Sequence, residues 1–382
     1  MSKKKIIFYS GSRADYGILE PVIKNLKKKA DLFLAIGPHH FVKNFGFSKK
    51  HINKNLFKKT YNCKSKINYN NVDISKFFHS SILQYKKILK NLDPDLVVVL
   101  GDRYEVLSFV LASFFQNRKI CHLHGGEKTS GSFDDTIRHV ITKFSDYHFA
   151  TNAKYKERIL SLGEKSKNIF NFGSIGAENI KKIKFFNKKD ILSKLNISSK
   201  KDIILVTFHP ETNTSKSYKF QIKTFLSGLK RFKNYYFIFT SSNGDPGGDL
   251  FNSHIRKFVK SNENSSFFYT LGTKNYLNIM KHSKMVIGNS SSAIIEAPSF
   301  NLPILNIGSR QNGRELSKNI FNCKIKKKEI EKKIQKLLSL KKRNNTQKNL
   351  NYKKNSSINI SNKILSLVSK KKEFKYFYDN KK

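Results

Sequence analysis

Leu96-Val97-Val98-Val99-Leu100-Gly101-Asp102-Arg103-Tyr104-Glu105 is the stretch that decides the fold. Five apolar residues, Val-rich and unbroken, read as a central parallel strand buried on both faces. A glycine then lets the chain turn, and two carboxylates and an arginine follow at the strand's carboxyl end. Upstream, Ile74–Leu92 has helical spacing and is stopped by Asp93-Pro94. Downstream, Val106–Phe115 reads as a helix and Ile120–Leu123 as the next strand. That strand runs into His122-Leu123-His124-Gly125-Gly126-Glu127. Asp134-Asp135-Thr136-Ile137-Arg138-His139 then opens a helix over Thr136–Phe144, with Asp134 or Asp135 near its N-cap. Loops at the carboxyl ends of strands are where open α/β folds build ligand sites. Carboxylates and imidazoles gathered there suit proton-transfer chemistry.

The alternation continues on both sides. Strands at Lys5–Ser10, Leu32–Ile36, Tyr147–Thr151 and Ile169–Phe172, with a helix over Ile18–Lys28, complete a first half. In the second half, strands are expected at Ile203–Phe208, Tyr236–Thr240, Phe267–Thr270, Met285–Gly288 and Ile304–Ile307. Helices are expected at Phe220–Phe232, His254–Val259 and Tyr276–Lys281. Such alternation predicts parallel sheets with right-handed crossovers. The polar, Lys-rich stretch Gly176–Lys201 marks the boundary. The expected division is 1–175, 176–360 and a basic terminal segment 361–382, with helical pieces after Lys326.

A chain of 382 residues is long enough for two substantial cores. No apolar run approaches the roughly 20 residues of a membrane span. The apolar run after Met1 is about five residues and reads as a first strand, not a signal peptide. Cys63, Cys121 and Cys323 lie far apart and form no metal or disulfide pattern, which suits a reducing cytoplasm. The net charge of +47 raises nucleic acid or a membrane surface as partners. Yet the Lys are scattered over nearly every segment, a pattern of compositional drift, not of a built patch. Ten of the 74 basic residues are Arg, and five of those (Arg13, Arg103, Arg138, Arg310, Arg314) fall in Gly-rich motif segments. Arg offers a planar bidentate fork that Lys cannot copy. Its retention there points to specific anion contacts; the bland alternative is chance clustering.

Three further motifs follow strands. Gly11-Ser12-Arg13-Ala14-Asp15-Tyr16-Gly17 is either an anion-facing turn or merely a tight one. It matches neither the dinucleotide-binding fingerprint nor the P-loop. Gly288-Asn289-Ser290-Ser291-Ser292 runs from a strand into a helix start, where free N–H groups favour anions. Ser290 and Ser291 hydroxyls could add to that, and Glu296, about a turn on, could accept from ribose hydroxyls. A capped helix without ligand is the alternative. Gly308-Ser309-Arg310-Gln311-Asn312-Gly313-Arg314-Glu315 brings two more Arg. His209-Pro210-Glu211 places an imidazole at a strand end, able to contact phosphate or move a proton.

Taken together, Gly11–Gly17, Gly101–Glu105, His122–Glu127, Asp134–His139, Gly173–Asn179, His209–Thr212, Gly288–Phe300 and Asn306–Arg314 resemble the hydrolysing UDP-N-acetylglucosamine 2-epimerases of bacterial sialic-acid and related nonulosonate pathways. The blocks occur in the family's order over residues 4 to 320. The resemblance implies a GT-B fold, two Rossmann-like doubly wound domains facing a central cleft, with the last helix packing back on the first. It implies loss of the C2 proton and of UDP from a UDP-sugar, a glycal intermediate, and rehydration to the free epimer. UDP-N-acetylglucosamine would give N-acetylmannosamine. The 2,4-diacetamido-2,4,6-trideoxy sugar of the legionaminic-acid route is the alternative substrate. It implies no cofactor and no metal, a cytoplasmic homo-oligomer, and neither a specific nucleic acid nor a membrane partner. By position in the motifs, Asp102, Asp134, His124, Glu127 and His209 are the catalytic candidates. Arg13, Arg103, Arg138, Ser290, Ser291 and Arg310 would contact the UDP-sugar, and Glu296 the ribose. Many relatives carry Glu where this chain has His124; a neutral imidazole can also serve as acid or base. A GT-B glycosyltransferase, a non-hydrolysing epimerase that releases the UDP-bound epimer, and a basic nucleic-acid-binding protein are the rival readings.

Overall fold

The computed structural model describes residues 3–42, 47–63, 74–242, 244–340 and 349–379. Among these, seven parallel strands form one sheet: β1 (Lys5–Ser10), β2 (Asp31–Ile36), β3 (Lys59–Asn62), β4 (Leu96–Leu100), β5 (Ile120–Leu123), β6 (Tyr147–Ala150) and β7 (Ile169–Asn171). Their order is β3-β2-β1-β4-β5-β6-β7. Six more form a second parallel sheet: β8 (Asp202–Thr207), β9 (Tyr235–Thr240), β10 (Ser265–Phe268), β11 (Ser283–Gly288), β12 (Ile304–Ile307) and β13 (Ile320–Cys323), in the order β10-β9-β8-β11-β12-β13. The first sheet's helices are α1 (Arg13–Leu26), α2 (Ile74–Leu92), α3 (Tyr104–Phe115), α4 (Asp134–Phe144), α5 (Ala153–Ser161) and α6 (Ile175–Asn179). The second has α7 (Lys188–Lys194), α8 (Tyr218–Ser227), α9 (Gly248–Lys260), α10 (Gly272–His282), α11 (Ser291–Ile295) and α12 (Lys327–Leu338); α13 (Ser356–Val368) comes last.

Both faces of each sheet are buried, and the strand sequences show why. Ile6 and Phe8 of β1 enter one hydrophobic cluster, Ile7 and Tyr9 another. Leu96, Val98 and Leu100 of β4 join the first cluster, Val97 and Val99 the second. In β8, Ile204 and Val206 face away from Ile203 and Leu205 in the same manner. A continuous apolar run is what such two-sided burial requires. β3 and β13 were not expected from the sequence. Both are edge strands, and their KTYN and IFNC sequences carry polar residues where a central strand could not.

The chain partitions into two units. One comprises residues 1–127, 134–178 and 351–382; the other comprises 128–133 and 179–350. The expected boundary at 360/361 falls inside α13. That helix belongs whole to the first unit, because Ile360, Ile364, Leu367 and Val368 share a core cluster with Leu19, Val22, Ile23 and Leu26 of α1. The loop 128–133 leaves the first unit and returns. No helix among the described residues is long and apolar enough to cross a membrane.

After α13 the chain continues without regular structure through residues 371–379, against the amino ends of β5 and β6. Lys119 Nζ donates to the carbonyls of Val368 (2.7 Å) and Lys370. Tyr378 N donates to Gly163 O at 3.0 Å. The segment's main anchor is Glu164, which meets Lys143 Nζ at 2.8 Å, His148 Nε2 at 3.0 Å and Lys375 Nζ. Burial pushes the Glu164 pKa up, but His148, Lys375 and Lys143 outweigh it and hold it at about 2. A carboxylate depressed in the fold stabilises above its unfolded pKa, and that contribution fades as pH falls towards the folded value. Glu164→Gln is therefore expected to cost about 2 kcal/mol near neutral pH and lower Tm by about 5 °C. Thermal unfolding should show the difference from wild type closing below about pH 4. A constant difference across pH would mean that the anchor is not ionic.

Candidate functional site

Ligand crevices in open α/β sheets lie outside the carboxyl ends of the strands, where strand order reverses. In the first sheet that point is between β1 and β4, with Ile6 beside Leu96 and Phe8 beside Val98. The loops leaving these two strands are Gly11–Gly17 and Gly101–Glu105. In the second sheet it is between β8 and β11, and the loops leaving them hold His209–Thr212 and Gly288–Ser292. Each unit thus carries two of its sequence motifs at its own switch point, and others follow neighbouring strands.

In the first unit the acidic residues converge on Arg138. This side chain, 1% exposed in α4, donates from Nη2 to Asp102 Oδ2 and from Nη1 to the Glu127 carbonyl (2.9 Å) and Asp135 Oδ1 (3.3 Å). Burial works against its charge, but Asp102, Glu127 and Asp134 outweigh that and raise its pKa. Arg138's immediate partners are thus the Asp102 and Asp135 carboxylates and the Glu127 main-chain carbonyl, and it gathers the loops after β4 and β5 and the start of α4. Asp134 is buried as the first residue of α4. His124 takes φ 66°, a left-handed conformation that a residue other than glycine keeps only when its surroundings impose it. Its Nδ1 lies 3.3 Å from Glu127 Oε1. His122, two residues earlier, is fully buried and serves the scaffold. Its Nε2 donates to the Gly101 carbonyl at 2.7 Å, and burial pushes its pKa down to about 3, so it stays neutral.

In the same loop after β4, Arg103 turns its fork onto Glu105, with Nε and Nη2 at 3.2 and 3.1 Å from the two carboxylate oxygens. Glu105 is fully buried, and His39 Nδ1 lies 2.7 Å from its Oε1. Arg13 is the first, half-buried residue of α1. Asp15 reaches back to accept from Gly11 N (3.0 Å) and Ser12 N (2.8 Å). Burial pushes the Asp15 carboxyl up to about 6; Arg103 pulls it down and Glu105 pushes it up.

In the second unit one asparagine ties the two central loops. His209 N donates to Asn289 Oδ1 at 2.7 Å, and Asn289 Nδ2 returns a bond to the His209 carbonyl at 2.9 Å. The His209 ring is buried, with Nδ1 3.2 Å from Ser242 Oγ. Glu211 accepts from the backbone N–H groups of Ser309 and Arg310. Arg310 Nη2 meets Asp245 Oδ2 at 3.3 Å, both side chains being at most 10% exposed. Gln311 Nε2 donates to the Asn289 carbonyl at 2.8 Å. Loops from four neighbouring strands thereby lock together. Ser290 caps α11 and is half-buried, while Ser291 is exposed. Glu296 is half-buried just after α11; its apolar surroundings push its pKa up to about 8, and no partner among the described residues opposes this.

Asn289, Glu211 and Glu105 lay inside motifs read from the sequence, but had no role assigned there. Asp245 and His39 lay outside those motifs altogether. Apart from the Arg103–Glu105 and Gln311–Asn289 pairs, their partners named above lie 65 to 99 residues away, which spacing along a chain does not show. No cluster of His, Cys, Asp and Glu able to hold a metal occurs among the described residues.

Against known proteins, the profile of the UDP-N-acetylglucosamine 2-epimerase family matches residues 27–365. The chain is 38% identical over 329 residues to the GDP/UDP-N,N'-diacetylbacillosamine 2-epimerase (hydrolyzing) of Campylobacter jejuni, covering 85% of each. It is 35% identical over 392 residues to polysialic acid biosynthesis protein P7 of Escherichia coli, covering 98% of this chain and 97% of the relative. The crystal structure of the Neisseria meningitidis UDP-GlcNAc 2-epimerase bound to UDP-GlcNAc superimposes with TM-score 0.75 at 19% identity, over 95% of this chain and all of that one. At that identity the likeness shows the GT-B-type fold of two parallel-sheet α/β domains.

Gly288 decides the second unit's central turn. Its φ is 138°, and a Cβ there would lie 1.9 Å from the Thr207 carbonyl oxygen. Gly288→Ala is expected to cost about 3 kcal/mol and lower Tm by about 10 °C. An unchanged Tm would mean that the turn has another backbone path open to it.

Proposed function

The chain belongs to the UDP-N-acetylglucosamine 2-epimerase family, and from that premise we propose that it is a hydrolysing 2-epimerase of a UDP-linked 2-acetamido sugar. The reading rests most on one observation: Asp102, Glu127 and Asp134 gathered around the buried Arg138 at the carboxyl end of β4, with His124 3.3 Å from Glu127. A base takes the C2 proton, the C1–O bond breaks and UDP leaves, giving a glycal. Water then supplies a hydroxyl at C1, and an acid returns a proton to C2 from the opposite face. Asp102, Asp134, His124 and Glu127 are the groups proposed to move these protons. Arg13, His209, Ser290 and Ser291 are proposed to carry the diphosphate charge that develops as UDP leaves. Glu296 is assigned to the ribose, and Arg103 and Arg310 to the nucleotide. Arg138 is assigned to holding the carboxylates. A cytoplasmic homo-oligomer completes the proposal.

Two substrates follow from the relatives. The higher identity is to the enzyme named for N,N'-diacetylbacillosamine, a 2,4-diacetamido-2,4,6-trideoxy sugar, which supports that UDP-sugar as the first to test. Sequence reasoning put UDP-N-acetylglucosamine first, and the polysialic acid relative supports it as the second. Proton NMR in D2O with each UDP-sugar tests the reading. Release of UDP together with a free 2-epimer deuterated at C2 is the expected result. A UDP-bound epimer would make the enzyme non-hydrolysing, and absence of turnover on both would return the transferase reading.

Asp102→Asn should lower kcat by about 1,000-fold. It should keep UDP affinity, with only a modest fall in Tm, because Asp135 and the Glu127 carbonyl still hold Arg138. Turnover within about tenfold of wild type would remove Asp102 from the mechanism.

Glu296 gives a pH signature. If ribose hydroxyls donate to its carboxylate, UDP binding must drive off the proton held up to about pH 8, so affinity should rise with pH to that point and then level. Calorimetric titration with UDP across that range should show the rise in wild type and its loss in Glu296→Gln. A flat wild-type profile would take Glu296 off the ribose. The raised pKa also penalises the fold above its unfolded value, so Glu296→Gln should melt higher than wild type at alkaline pH.

A further inference from the structure

Glu105 is the most deeply buried carboxylate at the first unit's switch point, and the reaction scheme above gives it no part. It is 0% exposed in the first turn of α3. A carboxylate so placed loses its hydration and must be compensated by fixed partners. Among the described residues its basic partners are Arg103 and His39, and both come from loops at the carboxyl ends of strands. Arg103 follows β4, and His39 follows β2. Arg103 spends the Nε side of its fork on Glu105, which sets the plane and direction of a guanidinium that would otherwise turn about several bonds. Asp15, after β1, feels both charges: Arg103 draws its pKa down and Glu105 pushes it up. Groups from the loops after β1, β2 and β4 are therefore coupled through one buried carboxylate.

We propose that Glu105 is a positioning residue for the reaction: it aims the Arg103 guanidinium, with His39 held beside it, so that Arg103 meets the anionic leaving group in one fixed orientation. The proposal rests on the epimerase reading, since that reading supplies the leaving group. A preset guanidinium accelerates the step because little reorganisation is left to do when charge develops. It also predicts that Glu105 acts only through the groups it holds.

A double-mutant cycle on the full chain tests this, read by UDP affinity and by turnover of whichever UDP-sugar the wild type accepts. Glu105→Gln is expected to weaken UDP binding about tenfold and to lower kcat/KM at least as much. Arg103→Ala should do the same, and the double variant should be no worse than Arg103→Ala alone. Losses that multiply would overturn the proposal, since independent roles leave the two effects separate; a fall in Tm with UDP affinity and turnover unchanged would mark the pair as purely structural and overturn it too. If Glu105→Gln does not fold, Glu105→Asp keeps the charge and draws the anchor back by about 1.5 Å. Wild-type UDP affinity and turnover in folded Glu105→Asp would likewise overturn it. Failure of the wild type to turn over either sugar overturns the epimerase reading, and the UDP-affinity cycle still decides whether Glu105 works through Arg103.

Discussion

Two-sided burial of the parallel sheets is the constraint on which the rest depends. Strands such as Leu96–Leu100 have no exposed face, so a polar group can be carried along them only where a fixed partner satisfies it, as Gly101 O does for His122. Chemistry is driven to the strand ends. Parallel strands all present their carboxyl ends at one edge, and at the switch point two neighbouring loops diverge and leave a crevice. Asp102, Arg103 and Glu105 sit there because the chain has nowhere else to place them after β4.

Crowding charge into such crevices has an electrostatic cost, and the protein meets it in two ways. Most carboxylates there are given cations or N–H donors: half-buried Asp102 has Arg138, buried Glu105 has Arg103, and buried Glu211 has two backbone N–H groups. These arrangements fix geometry at least as much as they stabilise, because a buried ion pair roughly breaks even against an apolar one. Glu296 and Asp15 are the exceptions. Their carboxyls are pushed up to about 8 and about 6 with incomplete compensation. Groups held near their titration points at a strand edge are the ones a ligand can recruit.

Much of this organisation was legible beforehand. β1, α2, β4, β5 and β12 fall where apolar runs, helical spacing and turn residues place them. These are central, strongly patterned elements. The edge strands β3 and β13 were missed because half-polar sequences carry little pattern, and α1 and α9 begin several residues before the expected helices because they open on Arg13 and Asp15 and on Gly248 and Asp249, which break the apolar pattern. The motif residues were found because glycine and arginine are scarce in a Lys-rich chain and cluster at strand ends. His122 shows the limit: it stands in the most suggestive motif, yet it is fully buried and bonded to the scaffold.

What the amino-acid sequence determined by itself was therefore the fold class, the central strands and the short loops in which the chemistry gathers, because period and turn chemistry are local properties. Tertiary structure alone decided which charges meet. Arg138 turns to Asp102 across 36 residues, His39 to Glu105 across 66, and Asn289 to His209 across 80. It also decided that α13 returns to the first unit to cover α1. Those pairings depend on how loops from distant strands are brought to a common edge, and no spacing along the chain encodes that distance.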